Sequence, residues 1–251
     1  MGSPLIQFLG TGTAFNTDGR GNQSLLVAPG AASPFLVDLG PTSMQAMIRF
    51  DVDWRKIDRL FLTHLHGDHT AGWPFLLLSM VIEARRTQPF DVYGPIGTKD
   101  CLEGLASLCF RDVLELQAFD VRYQEFPVEP AKEIPGRQGM VFDVVPMDHH
   151  ASSVGYRFHL DGAKVGVTGD TGWCKNLLSL ASGCDVLISE CSTVEPEAGS
   201  HLSLQQIREG RGELGEAQVL LVHLTDDVAE DLARDPVPNL LATYDGMMFL
   251  P

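Results

Sequence analysis

Phe61-Leu-Thr-His64-Leu65-His66-Gly67-Asp68-His69 is the stretch whose reading decides the fold of this chain. Four of the six residues from His64 to His69 are imidazoles or a carboxylate, in a chain with only 8 histidines among 251 residues. The run follows the apolar segment Ile57 to Leu62, which predicts a buried strand ending at Thr63. A loop leaving a strand end lets alternate side chains converge from one side. The spacing allows two centres, with His64 and His66 at one metal and Asp68 and His69 at a neighbour. Borderline cations such as Zn²⁺ take this mixture of imidazole nitrogen and carboxylate oxygen.

Working outward, the pattern alternates short strands with helices. Strands are expected at Leu5 to Leu9, Ser24 to Val27, Pro34 to Asp38, Phe90 to Tyr93, Val121 to Phe126 and Val141 to Met147. Others are expected at Val154 to Leu160, Lys164 to Thr168, Val186 to Ser189 and Val219 to Val222. Asp161-Gly162 signals a tight hairpin. Thr42 is placed to cap a helix reaching Phe50, and Ala71 to Arg86 reads as one helix with Pro74 in its first turn. Further helices are expected at Lys99 to Leu108, Lys175 to Ala181, Ser203 to Glu209 (opened by His201) and Asp226 to Ala233. Glu129 to Gly139 reads as the most loop-like stretch. No linker cuts the chain, so 1–251 is expected to be one domain.

The composition narrows the classes. A formal charge of −15, with no basic run longer than Arg55-Lys56 or Arg85-Arg86, disfavours a bulk nucleic-acid binder. No apolar run approaches the roughly 18 residues of a membrane span, and no secretory signal is apparent. Five cysteines without a C-x-x-C pair suit free thiols in a reducing cytoplasm.

The other polar candidates stand at strand ends. His149 and His150 follow Val141 to Met147, Asp170 follows Lys164 to Thr168, and His223 follows Val219 to Val222. In layered α/β folds function gathers where loops leave strand ends, so these residues can meet the His loop in space. Trp73, Trp173 and Met147 flank the same loops and are candidates for an apolar pocket wall.

The chain resembles the metallo-β-lactamase superfamily, and within it the ribonuclease Z-like branch of phosphodiesterases. The resemblance is carried by Phe8-Leu-Gly-Thr-Gly-Thr13 with Gly21-Asn-Gln-Ser24, Leu36-Val-Asp-Leu-Gly40, Phe61 to His69, Tyr93-Gly-Pro95 and His149 with Gly155-Tyr156-Arg157. It continues through Val167-Thr-Gly-Asp-Thr171, Leu187-Ile-Ser-Glu190, His201-Leu-Ser203, Val222-His223 and Asp245-Gly-Met247. The resemblance implies a four-layer αββα sandwich with a dinuclear centre along one edge. It implies that His64, His66 and His149 hold the first metal, that Asp68, His69 and His223 hold the second, and that Asp170 bridges them. His149 is taken over His150 because the family spacing leaves five residues before Gly155-Tyr156. The expected cofactors are two divalent ions, zinc first, with manganese or iron as alternatives.

The implied function is a metal-dependent phosphodiesterase in which a hydroxide held by both metals attacks a small or cyclic phosphodiester. Asp68 is expected to orient that hydroxide, His201 to protonate the leaving oxygen and Glu190 to orient His201. Three departures separate this chain from the tRNA-processing members, one being Ser189-Glu190 in place of the branch's usual His-Glu pair. Only Phe158 to Val167 stand where the branch inserts its tRNA-gripping arm, and Thr225-Asp226-Asp227 replace the aromatic and basic residues expected after the last ligand. The alternative keeps the metals and changes the bond to a carboxyl type (thioester, lactone or β-lactam). A tRNA endonuclease and a non-enzymatic binding protein rank lower. A homodimer is expected by resemblance to the branch.

Overall fold

Alternate residues of each strand go to different cores, and this sorts the molecule into layers. In the strand Leu5–Gly10, Ile6 and Phe8 face one apolar cluster while Leu9 faces another. In Gln218–Val222, Leu220 and Val222 join the first cluster while Val219 and Leu221 join a third. A strand with period 2 and both faces apolar is one covered on both sides. The computed structural model describes residues 4–30, 32–199 and 201–251.

The strands are β1 (Leu5–Gly10), β2 (Ser24–Ala28), β3 (Phe35–Val37), β4 (Arg59–Phe61), β5 (Phe90–Pro95), β6 (Val121–Phe126) and β7 (Ala131–Pro135). They continue with β8 (Val141–Pro146), β9 (Val154–Leu160), β10 (Ala163–Val167), β11 (Val186–Glu190), β12 (Gln218–Val222), β13 (Leu240–Ala242) and β14 (Met248–Phe249). The first mixed sheet runs β14-β1-β2-β3-β4-β5-β6 and the second β13-β12-β11-β10-β9-β8-β7. Helices α1 (Ser43–Arg49), α2 (Gly67–Thr70), α3 (Trp73–Leu78), α4 (Thr98–Cys109) and α5 (Val113–Leu116) lie in the first half of the chain. Residues of α1, α3, α4 and α5 share a cluster with the outer face of the first sheet. Helices α6 (Lys175–Ala181), α7 (Leu204–Gly210) and α8 (Asp226–Arg234) cover the second sheet in the same way. The result is the expected αββα sandwich.

Between the sheets the core is aromatic. Phe61 stacks on Tyr93 at 4.4 Å and meets Phe35, Phe142, Tyr156 and Phe158 edge-on. Each offset or T-shaped pair adds about 0.5–1.5 kcal/mol beyond the area it buries. Two hydrogen bonds cross the sandwich directly beneath the His run. Tyr156 Oη donates to Leu62 O at 2.8 Å, and Val154 N donates to Thr63 O at 2.8 Å.

Several local expectations change. Glu129 to Gly139 is not simply loop, because β7 pairs antiparallel with β8 through Ile134↔Phe142 and Pro135↔Val141. Pro135 hid this strand; β7 stands at a sheet edge, where the proline's missing N–H breaks no ladder. The segment 71–86 is not one α-helix: after α3 it widens into a π-turn over Ser79–Glu83 and stops before Arg85, whose φ is 46°. Thr42 precedes α1 without capping it through its side chain; its Oγ1 instead accepts a hydrogen bond from Asn22 N at 2.9 Å. Ser203 does cap α7, in a reciprocal capping box with Gln206. The Asp161-Gly162 turn is present, with Leu160 paired to Ala163 and Gly162 at φ 84°.

Candidate metal centre and active site

The segment after β4 begins as extended chain and then coils. Asp68 and His69 lie on the single turn α2, where a loop was expected, and Thr70 Oγ1 donates to His66 O at 2.9 Å. His66 therefore points one way from extended backbone and His69 another from a helical turn. The remaining groups arrive from the second sheet: His149 after β8, Asp170 after β10, Glu190 at the end of β11 and His223 after β12.

Two donor groups result. In the first, His66 Nδ1 lies 3.1 Å from His64 Nε2 and 3.2 Å from His149 Nε2. In the second, His69 Nε2 lies 3.2 Å from Asp68 Oδ2 and 3.4 Å from Asp170 Oδ1, and His223 Nε2 lies 3.5 Å from each of Asp68 Oδ2 and Asp170 Oδ2. Within each group the donor atoms fall inside 4.8 Å of one another. Asp170 touches both, its Oδ2 standing 3.8 Å from His64 Nε2 and from His149 Nε2. His150 turns away and bonds Ser152 Oγ through Nδ1.

Three buried donor atoms, His69 Nε2, His223 Nε2 and Asp170 Oδ1, have no hydrogen-bond partner among the described residues. An unmet buried polar group costs about 1–3 kcal/mol, so a cation that satisfies all three fits the donor set. Each ring is aimed by the nitrogen turned away from the centre. Thr63 Oγ1 lies 3.2 Å from His64 Nδ1, Asp38 Oδ2 lies 2.8 Å from His69 Nδ1, and Ser192 Oγ lies 2.8 Å from His223 Nδ1. Such partners fix the tautomer and orient the ligand.

Asp38 and Ser192 carried no assigned role in the sequence. The signal for Asp38 was faint: a carboxylate ending an apolar strand before Leu-Gly. In the structure it is fully buried at φ 60° and accepts from Thr63 N as well as holding His69. His223 shares the left-handed conformation at φ 55°. Two non-glycine residues held there, at about 1–3 kcal/mol each, mark backbone bent to serve a site.

The charges divide the groups. Burial, and then the neighbouring imidazoles, push His64 down to about 2 and lower His66, which keeps both rings neutral. Burial opposes charge on Asp68, Asp170, His69 and His223, yet their mutual attraction wins. Both carboxyls are held below the usual range, and both imidazoles are raised.

Beside them sits a second constellation. Glu190, fully buried, accepts from Thr171 N at 2.6 Å, His201 Nδ1 at 2.9 Å and Ser192 Oγ at 3.0 Å. Burial raises the Glu190 carboxyl, while its bond to His201 works against that and raises His201. His201 does not open a helix; it stands in irregular chain two residues before the Ser203 cap. A cavity of about 390 Å³ opens over members of both donor groups and over His201. Its floor includes His66, Asp68, His149, Asp170, His201 and His223, and no Lys or Arg is among its described lining residues. The expected apolar wall is absent from it. Trp73 and Met147 are buried in the helix-facing cores, and Trp173 packs against Gly210.

Fold and donor set together define a metal-dependent hydrolase of the metallo-β-lactamase superfamily, in its ribonuclease Z-like branch. Residues 5–243 match the family model described as Anti-Pycsar protein Apyc1, and the chain belongs to that family. Ribonuclease Z of Mycobacterium bovis (strain BCG / Pasteur 1173P2) is 31% identical over 195 residues, covering 73% of this chain and 68% of that relative. Among solved structures, the short form of human tRNase Z superposes with a TM-score of 0.78 at 21% identity, covering 98% of this chain and 99% of the other. A diphosphatase of the PhnP family gives 0.74 at 18% identity, covering 99% and 97%. No helix among the described residues is long and apolar enough to cross a membrane.

Proposed function

We propose that the chain hydrolyses a small phosphodiester bearing a single negative charge, a cyclic one above all. The observation that carries the reading is the Glu190–His201 pair, 2.9 Å apart, whose His201 lines the same cavity as members of both donor groups. In this reading His64, His66 and His149 hold one divalent ion, Asp68, His69 and His223 hold a second, and Asp170 serves both; zinc suits the donors best. Bound there, the ions supply water of lowered pKa and a positive clamp for the phosphoryl oxygens.

The chain's own residues do the rest. Asp68 lines the cavity and orients the attacking water. The water, one of its protons released to solvent, forms a bond from its oxygen to phosphorus while the bond from phosphorus to the leaving oxygen breaks. His201, protonated on both nitrogens, keeps Nδ1 on Glu190 and gives its Nε2 proton to the leaving oxygen. A buried, multiply hydrogen-bonded Glu190 favours that charged imidazole. General acid help of this kind contributes about 10²–10⁴-fold.

The cavity argues for the size and charge of the substrate. With no Lys or Arg among its described lining residues, it offers no ammonium or guanidinium to a second phosphate. That separates the reading from the tRNA and diphosphate substrates that the relatives' names suggest. The reading takes 1–251 as one catalytic unit, supported by the core shared between the sheets. It also places the chain in the cytoplasm, supported by five free cysteines. His201→Ala tests it on zinc-loaded protein. The expected loss is about 10²–10⁴-fold on diesters with alkoxide leaving groups, and far less on p-nitrophenyl esters, whose leaving group needs no proton. Equal losses on both would remove His201 from the acid role.

A further inference from the structure

We infer that a second cavity, at the end of the sandwich opposite the donor groups, binds a phosphoryl dianion, either free phosphate or the head of a small phosphomonoester. β4 and β5 run parallel, and the His run leaves the C-terminal end of β4. The second cavity opens where the chain enters these two strands and holds about 470 Å³, within the range of small-ligand pockets. Arg55, Lys56, Arg85, Arg86 and Arg137 line it beside one carboxylate, Asp58. The two basic pairs of the sequence, far apart in the chain, thus meet on one cavity of a protein whose formal charge is −15.

The carboxylates nearby are already engaged. Asp58 accepts from Arg59 Nε at 3.0 Å and from Gln138 Nε2 at 3.1 Å, and Arg137 lies 3.7 Å from Asp58 and 3.5 Å from Asp91. On the rim, Asp53 and Glu83 pair with Arg55, and Asp53 also lies 3.4 Å from Lys56 Nζ. Arg85 and Arg86 make no ion pair among the described residues. Arg86 is half-buried, and its Nε, Nη1 and Nη2 donate only to the carbonyls of Gln88, Ile57 and Pro89. Burial lowers its guanidinium, Asp58 opposes that and Arg137 adds to it. A cation withdrawn from water and held by carbonyls alone is best balanced by an anion from outside.

The surplus therefore falls on two adjacent guanidinium groups. Arginine forks match phosphoryl oxygens, and a phosphomonoester carries about two negative charges at neutral pH, which this pair balances. Ser33, Thr87, Gln88 and Gln138 on the same wall offer uncharged donors for the remaining oxygens. Arg85 stands at φ 46°, a left-handed backbone that few non-glycine residues adopt, so its side chain leaves the chain in a fixed direction at the cavity. The metal-site cavity, lined by no Lys or Arg among the described residues, has none of these features.

Calorimetric titration of the zinc-loaded protein with inorganic phosphate, and separately with ribose 5-phosphate, tests the site. Metals can also take phosphate, so the discriminating quantity is the one equivalent that depends on this cavity. Arg85→Gly removes the guanidinium and suits the left-handed backbone, which spares the fold. It is expected to abolish that equivalent or raise its Kd roughly 10- to 100-fold. Lys56→Gln, at an exposed ammonium, should raise the same Kd about 3- to 10-fold, while Arg122→Ala, exposed on β6 and outside the cavity, changes neither count nor Kd. Tighter binding of ribose 5-phosphate makes an ester head the occupant, and tighter binding of inorganic phosphate makes it the free ion. A count and Kd that Arg85→Gly leaves unchanged would put all the phosphate on the metals and overturn the inference. An equal loss in Arg122→Ala also overturns it, since the attraction would then belong to no particular cavity.

Discussion

His64, His66 and His149 form a donor group of imidazoles alone, with His66 exposed, whereas Asp68, His69, Asp170 and His223 combine two carboxylates with two imidazoles under near-complete cover. In the first group the rings are pushed towards neutrality, so they present lone pairs and no charge. In the second the carboxylates stay ionised and draw positive charge towards themselves. A neutral, open set suits an ion that exchanges readily. A charged, enclosed set suits one that stays, because removing the cation leaves buried anions without compensation.

The largest blow to that contrast is Asp170→Asn. Its two oxygens face both groups, so the substitution should remove metal from each and lower activity by more than about 10⁴-fold. Metal analysis beside kinetics checks this; loss of metal from one group alone would mean that the two are independent. A selective break is Ser192→Ala, which removes the partner of His223 Nδ1 and touches nothing in the imidazole group. Metal retention should weaken about 10–100-fold for one ion and hold for the other, read by chelator titration, with Ser192→Thr restoring it. The smallest effect is one of pH. The bond to Glu190 raises His201, so its protonated form persists to higher pH and activity falls as pH climbs through that pKa. Glu190→Gln removes the raising charge, and the alkaline limb of kcat should move to lower pH. An unmoved limb would assign it to another group.

How much of this was legible in the chain follows from where the information lies. His64 to His69 announce themselves because six consecutive residues carry the signal. His149, Asp170 and His223 are single residues at strand ends far apart, and only family spacing joined them to the loop. Asp38 left only a faint signal and Ser192 none, since an aspartate after a strand and a serine near a glutamate are ordinary until the fold sets them 2.8 Å from ring nitrogens of His69 and His223. The layers were legible through period-2 strands. β7 was not, because an edge strand with polar residues and a proline loses the pattern that burial imposes. The pocket wall was misjudged for a related reason. Tryptophans beside a functional loop look like lining, yet a large ring gains more by burial, and it was the small threonine-rich turn with Phe15 that faced the cavity.

The bonds from Tyr156 to Leu62 and from Val154 to Thr63 bolt one half of the sandwich to the other just under the histidine run. Since each half supplies part of the centre, its integrity depends on the two halves not slipping past each other. Warming that loosens this seam should scatter the donors while the outer helices are still wound. Inactivation would then run ahead of melting, and the working temperature of the protein would be set at its midplane.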